Sequence, residues 1–278
     1  MKNTLLIGIL SSTLFCTSLF ATEHNFISDG EGETYISGIN IDDFKVNYEI
    51  LGELAFFEGD ILLGTTEEVE QRFEMHQNPT NKSLILRNEN HLWKENTIIY
   101  SFHSGLSKKA KKIANKAIRH LKKHTSLSFV LRTNENAEQY PDYVMISSSN
   151  KGCYSHIGRK GGKQLLNIGK GCRVGATIHE FGHTLGLFHE QSRSDRNEYI
   201  KINYANIQSG KRSQFKKQPK GIDFGQYDYK SIMHYSAKAF SDNGKETITP
   251  LQDGIKLSRH RKLSKGDIDA ILHMYPNL

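Results

Sequence analysis

Residues 179 to 190 read HEFGHTLGLFHE, three histidines and two glutamates within twelve residues. His179 and His183 stand four apart, so on a helix they share one face, one turn from each other, and both imidazoles can reach a single ion. Zinc takes nitrogen ligands at about 2.0–2.1 Å in a tetrahedral arrangement, and a catalytic zinc keeps three protein ligands and one open position. Glu180, beside the first histidine, can reach a water in that position without binding the metal. Gly186 accounts for a third ligand. A helix that ends there in a left-handed conformation turns the chain back and presents His189 from outside. HExxH alone arises by chance on amphipathic helices whose histidines bond to backbone or carboxylates. With Gly186 and His189 at their offsets, HExxHxxGxxH is a specific pattern.

Residues 231 to 235 read SIMHY. Met233 by itself would be a core residue, but a methionine in a turn downstream of three such histidines matches the Met-turn of the metzincin metalloproteases. The residue after the third histidine, Glu190, resembles the astacin family. So do HEQSRSDRNEYI (His189 to Ile200), YKSIMHYS (Tyr229 to Ser236) and LSKGDIDAILHMY (Leu263 to Tyr275). Upstream, HLWKENTIIYSF resembles the opening of that family's catalytic domain, and GCYSHIGR resembles one half of its short-range disulfide. The resemblance runs from about Ser83 to the C-terminus. It implies an α+β fold in two lobes, with a twisted mixed sheet and the zinc-binding helix in the first, and the Met-turn and a C-terminal helix in the second.

The resemblance also implies roles. His179, His183 and His189 bind one zinc ion, and Glu180 is the general base and then the proton donor. Tyr235 is an additional ligand at rest that swings away to stabilise the oxyanion. Glu190 contacts the new N-terminus that maturation creates. Protein or peptide chains are the substrates, and GKQLLNIG (Gly162 to Gly169) is expected as the sheet edge that pairs with them. One departure is visible: Ser126 stands at the first position of the family's second bridge, which is therefore expected to be missing. A minimal protease without appended modules is expected.

A second carboxylate becomes significant in that light. FFEGDILL, residues 56 to 63, contains Phe57, Glu58, Gly59 and Asp60, which match the FxGD motif of the family's pro-segments. A carboxylate delivered to the open position displaces the catalytic water, and Gly59 lets the strand come close. Charge agrees. Thr22 to Lys82 holds 14 acidic against 3 basic residues, a net −11, whereas Ser83 to Leu278 carries +17 of the overall +7. Opposite signs of that size attract one part of a chain to another.

The rest of the sequence positions these groups. Lys2, an apolar run from Leu5 to Leu14 and the small residue Ala21 read as a signal peptide over 1–21. A membrane anchor is the alternative, with Thr4 to Phe20 near the lower length limit for a span and interrupted by Ser11, Ser12, Thr13 and Thr17. With Cys16 removed, Cys153 and Cys172 remain. An even pair in an exported chain points to a disulfide, with metal binding the alternative. HQNPTNKS (His76 to Ser83) reads as a linker. The expected organisation is therefore a signal at 1–21, an acidic inhibitory pro-segment at 22–82 and a catalytic domain at 83–278, matured near Lys82–Ser83 or Arg87–Asn88. NTIIYSF, LSFVLR and DYVMISS read as strands. Ser107 and Ser264 cap helices, the first with apolar Ala110, Ala114, Ala117 and Leu121 opposite a lysine-rich face. That face reads as solvated, with no specific nucleic-acid partner and no membrane anchor. A secreted monomer is expected, periplasmic in the alternative. The competing function, a polyanion binder using KRSQFKKQPK and SRHRKLS, is disfavoured by the intact ligand set.

Overall fold

The structure, a computed structural model, describes residues 28–38, 41–77, 91–218 and 221–276. The expected signal peptide with Cys16 and Ala21, most of the expected linker and both expected maturation bonds lie outside the described residues.

The acidic segment is an antiparallel meander and a helix: β1 (Gly30–Gly38), β2 (Ile41–Leu51), β3 (Leu54–Phe57), β4 (Ile61–Thr65) and α1 (Thr66–Gln77). Period-two alternation sends its apolar residues to two faces. Phe57, Ile61 and Leu63 pack with Val46, Tyr48 and Val69, whereas Phe56 and Leu62 pack against Tyr154. α1 starts at a capping box in which Thr65 Oγ1 accepts from the Glu68 amide at 3.1 Å and Glu68 accepts from the Thr65 amide at 3.0 Å. It runs through His76 and Gln77, the first residues of the expected linker.

Beyond it come β5 (Thr97–Phe102), α2 (Lys108–His124), β6 (Ser128–Leu131), β7 (Tyr143–Ser147), β8 (Cys153–Ser155), β9 (Lys163–Ile168) and α3 (Val174–Leu185). All nine strands make one mixed sheet in the order β1-β2-β3-β4-β8-β9-β7-β5-β6. α2 and α3 cover it, burying Ala114, Leu121, Ile178 and Phe181 on Ile98, Val144, Ile146 and Leu166. Ser107 caps α2 by accepting from the Ala110 amide at 3.1 Å, as its sequence predicts. The basic residues Lys108, Lys109, Lys112, Lys116 and Arg119 lie along the outer side of α2, away from its buried alanines. Among the described residues no helix is long and apolar enough to cross a membrane.

The sheet corrects one expectation. Gly162 to Gly169 is not an edge: β9 lies between β8 and β7, antiparallel to the first and parallel to the second. Among the strands of residues 91–276, β8 and β6 stand at the two ends, and β4 of the acidic segment lies alongside β8 in parallel, pairing Ile61 with Ser155. Alternation alone cannot distinguish an edge from an interior strand, because pairing partners are set by distant chain. The charge asymmetry takes local form at the same junction. Lys211 Nζ lies 2.7 Å from Glu49 Oε2 in a buried ion pair, and Lys160 lies 3.4 Å from Glu68 in an exposed one.

Cys153 and Cys172 form a disulfide across 19 residues. Where the family's second bridge was expected to be missing, Ser126 Oγ donates to the Tyr275 carbonyl at 2.5 Å. The second lobe has little regular structure. β10 (Ile200–Ile202) pairs with β11 (Ile248–Pro250) over a core of Phe215, Tyr235, Phe240 and Ile248. α4 (Lys265–Met274) sends Ile271, with the following Tyr275, into the core beneath α3.

The first turn of α4 also holds the Met-turn. Ser264 and Asp267 form a capping box, and the buried Asp267 carboxylate accepts from Ser231 Oγ at 2.6 Å and the Ile232 amide at 2.9 Å. Removing it strands several buried donors, each worth about 1–3 kcal/mol. Asp267→Ala is therefore expected to lower unfolding free energy by roughly 3 kcal/mol or more in urea titrations. A change under about 1 kcal/mol would mean the turn is held by other contacts.

Candidate metal centre

α3 carries HEFGHTL and ends where the sequence places its end. Gly186 adopts φ 107°, a left-handed cap whose amide bonds to the Gly182 and His183 carbonyls. The chain reverses and returns His189 to the face that holds His179 and His183. Their Nε2 atoms converge: His183 lies 3.1 Å and His189 3.3 Å from His179. Asp60 completes the group, with carboxylate oxygens 3.3 Å from His179, 3.4 Å from His183 and 3.3 Å from His189.

The partners of the outer nitrogens show which tautomer each neutral ring takes. His179 Nδ1 faces the Ile232 carbonyl and His183 Nδ1 the Leu187 carbonyl, each at 2.8 Å, and His189 Nδ1 faces Glu58 Oε2 at 2.8 Å. Each partner accepts, so each Nδ1 carries a hydrogen, and in the neutral ring Nε2 is left with its lone pair for a cation. Asp60 Oδ1 is likewise buried without a hydrogen-bond partner. Four lone-pair donors facing one another repel unless a cation lies between them. A tetrahedral zinc with ligands at about 2.05 Å has ligand-to-ligand edges of about 3.3 Å. The separations observed fit that figure, and the three-nitrogen, one-oxygen donor set is zinc chemistry.

The protonation states fit too. Burial pushes His183 down to about 4, the neutral form a metal requires. For His189 burial lowers the pKa, but Asp60 and Glu58 outweigh it and raise it to about 10, so a proton occupies that ring when no cation does. Burial would raise Asp60, yet the three imidazoles hold it well below the usual carboxylate range. Glu180 moves the other way: burial first, then the Asp60 charge, pushes it well above its ordinary value.

The remaining predicted residues surround this group. Met233 is buried under α3, and its carbonyl accepts from the Glu190 amide at 3.1 Å. Tyr235, expected as an additional ligand at rest, is not one of the four converging groups. Its hydroxyl donates to the Glu58 carbonyl at 2.6 Å, and Asp60 stands at the fourth corner instead. Glu190 does not touch the metal group. Its Oε1 accepts from the Asp228 amide at 2.7 Å, and burial raises its pKa to about 7. It borders a cavity of about 690 Å³ lined by Leu92, Arg193, Asp223 and Asp267 among others. Glu58 is the functional residue that sequence reasoning missed. Only its place inside FEGD marked it.

Three imidazoles on a helix–turn platform, a methionine beneath and a buried glutamate beside them define a metzincin-type zinc centre. Comparison with known proteins narrows the class. The model of the astacin peptidase family matches residues 85–276, and the chain belongs to this family. Zinc metalloproteinase nas-13 of Caenorhabditis elegans is 39% identical over 187 residues, 66% of this chain but only 40% of that protein's length. Zinc metalloproteinase nas-4 of the same organism is 34% identical over 226 residues, 79% of this chain and 69% of its own. Among solved structures, high choriolytic enzyme 1, a hatching enzyme zinc-protease from Oryzias latipes, superposes with a TM-score of 0.60 at 36% identity, covering 66% of this chain and 92% of that one.

Gly182 exposes the tolerance of the platform. A β-carbon there would lie 2.6 Å from Met233 Sδ. Gly182→Ala is expected to shift the Met-turn or α3 at a cost of about 1–3 kcal/mol, and to weaken zinc retention against a chelator. Unchanged melting and retention would show that Met233 moves freely.

Proposed function

We propose that this chain is a zinc-dependent endopeptidase exported as an inactive precursor, with 1–21 a signal peptide, 22–82 the inhibitory pro-segment and 83–278 the catalytic domain. The observation that carries the reading is Asp60, grouped with three imidazoles whose ligand atoms converge on one point. When bound, zinc supplies a Lewis acid that polarises a peptide carbonyl and acidifies water.

The protein does the rest. Glu180, whose Oε2 has no hydrogen-bond partner, takes the proton of the attacking water and passes it to the leaving amine. The Tyr235 hydroxyl, released from Glu58, stabilises charge on the tetrahedral oxygen. An extended substrate pairs with the β8 edge once β4 leaves it. In the precursor Asp60 fills the position the water needs. Cleavage near Lys82–Ser83 or Arg87–Asn88 frees a new N-terminus, and the cavity beside Glu190 and Leu92 supports the reading that this ammonium docks there. The enzyme acts on protein or peptide chains as a secreted monomer.

The test is casein hydrolysis by Thr22–Leu278 before and after limited trypsin. Activity is expected only after cleavage. Glu180→Ala should reduce it by about 10²–10⁴-fold, the range for loss of a general acid–base. Full activity before cleavage would contradict the inhibitory role, and an active Glu180→Ala would contradict the mechanism.

A further inference from the structure

Asp60 and Tyr235 belong to different parts of the chain, yet one residue governs the surroundings of both. Glu58 is 1% exposed and adopts φ 47°, a left-handed conformation uncommon for a side-chain-bearing residue. Its carboxylate faces His189 Nδ1 at 2.8 Å and accepts from Gln218 Nε2 at 3.0 Å. Its carbonyl accepts from the Tyr235 hydroxyl at 2.6 Å. Gly59 follows at φ 79°, where a β-carbon would meet Phe240 at 2.9 Å. On the far side of the turn the Asp60 carbonyl accepts from the Ser155 amide at 3.1 Å. The turn is thus pinned before and after Asp60, and the leading pin is a charged side chain whose partners both lie in the catalytic part.

We propose that Glu58 is a positioning residue of the inhibitory turn. Docking its carboxylate on His189 and Gln218 presents the carbonyl that withholds Tyr235 from the metal centre, while setting Asp60 over the three imidazoles. This rests on the inhibitory reading of residues 22–82 and divides that inhibition in two. Asp60 blocks the fourth coordination position, and Glu58 sequesters the tyrosine. Substituting Asp60 alone opens the position but leaves Tyr235 held. Substituting Glu58 releases the tyrosine and unpins the turn. The motif is therefore a double latch, and its first carboxylate also completes the outer shell of a zinc ligand, a partner that His189 loses on maturation.

Because Glu58 lies in the segment that maturation removes, every Glu58 variant yields the same mature enzyme after trypsin, which controls for folding of the catalytic part. The experiment compares wild-type Thr22–Leu278 with Glu58→Leu, Glu58→Gln and Asp60→Ala. Each is prepared with zinc for activity and with Cu²⁺ for absorption. A phenolate oxygen on Cu²⁺ gives a visible charge-transfer band that imidazole and carboxylate ligands do not. No band is expected from the wild type or Asp60→Ala. Glu58→Leu should show the band and at least ten-fold more casein hydrolysis before cleavage than wild type. Glu58→Gln keeps an acceptor for His189 and should stay within about three-fold of wild type. If Glu58→Leu cannot be recovered, Glu58→Asp, one methylene too short for both partners, must leak in the same way. A silent, bandless Glu58→Leu (or Glu58→Asp where it stands in for it), or full activity and a band in Asp60→Ala alone, would overturn the proposal. A band and full activity in the uncleaved wild type would instead overturn the inhibitory reading beneath it.

Discussion

Four lone pairs pointing at one spot are the constraint on which the rest of the structure depends. Three imidazole nitrogens and the Asp60 carboxylate oxygens lie 3.1–3.4 Å apart. Such a group is held together by a cation, or without one by a proton on His189, so metal binding contributes directly to the stability of this region. It also explains why each outer nitrogen needs an acceptor. The Ile232 and Leu187 carbonyls and the Glu58 carboxylate lock the tautomers, and each comes from a different part of the chain.

Seen from the metal, the architecture divides into supports. The sheet and α2 hold α3, and Gly186 turns the chain so that His189 faces back. Asp267 at the start of α4 fixes Ser231 and Ile232, and through them the acceptor of His179. A helix cap far downstream in the sequence thereby orients the first ligand. The acidic segment adds its own small core and extends the sheet by four strands. Its −11 charge is realised in few direct pairs, among them the buried Glu49 with Lys211 and Glu58 with His189. Long-range attraction brings the segment to the domain, while strand pairing and the FEGD turn define where it sits.

Much of this was legible in the sequence wherever the information is local. The offsets of His179, His183, Gly186 and His189 are helix geometry written in residue numbers. The caps at Ser107 and Ser264 are equally local, and so is the Thr65–Glu68 capping box, a signal present in TTEE that sequence reasoning passed over. Asp60 became visible only through the family motif, since a lone aspartate in an acidic stretch carries no periodicity. What escaped was non-local. The place of β9 inside the sheet depends on partners elsewhere, and the link from Asp267 to the Met-turn spans 35 residues. Glu58 meets His189 across 131 residues, and no spacing rule reaches that far. Tyr235 was placed by resemblance to a resting enzyme, whereas in this chain the FEGD turn holds its hydroxyl.

The most direct test of the account is a crystal structure of zinc-loaded Thr22–Leu278 with anomalous scattering at the zinc edge. The account predicts one ion about 2.0–2.2 Å from Nε2 of His179, His183 and His189 and from a carboxylate oxygen of Asp60. The Tyr235 hydroxyl should remain on the Glu58 carbonyl. A water at the fourth position with Asp60 turned away, or coordination through any Nδ1, would contradict it.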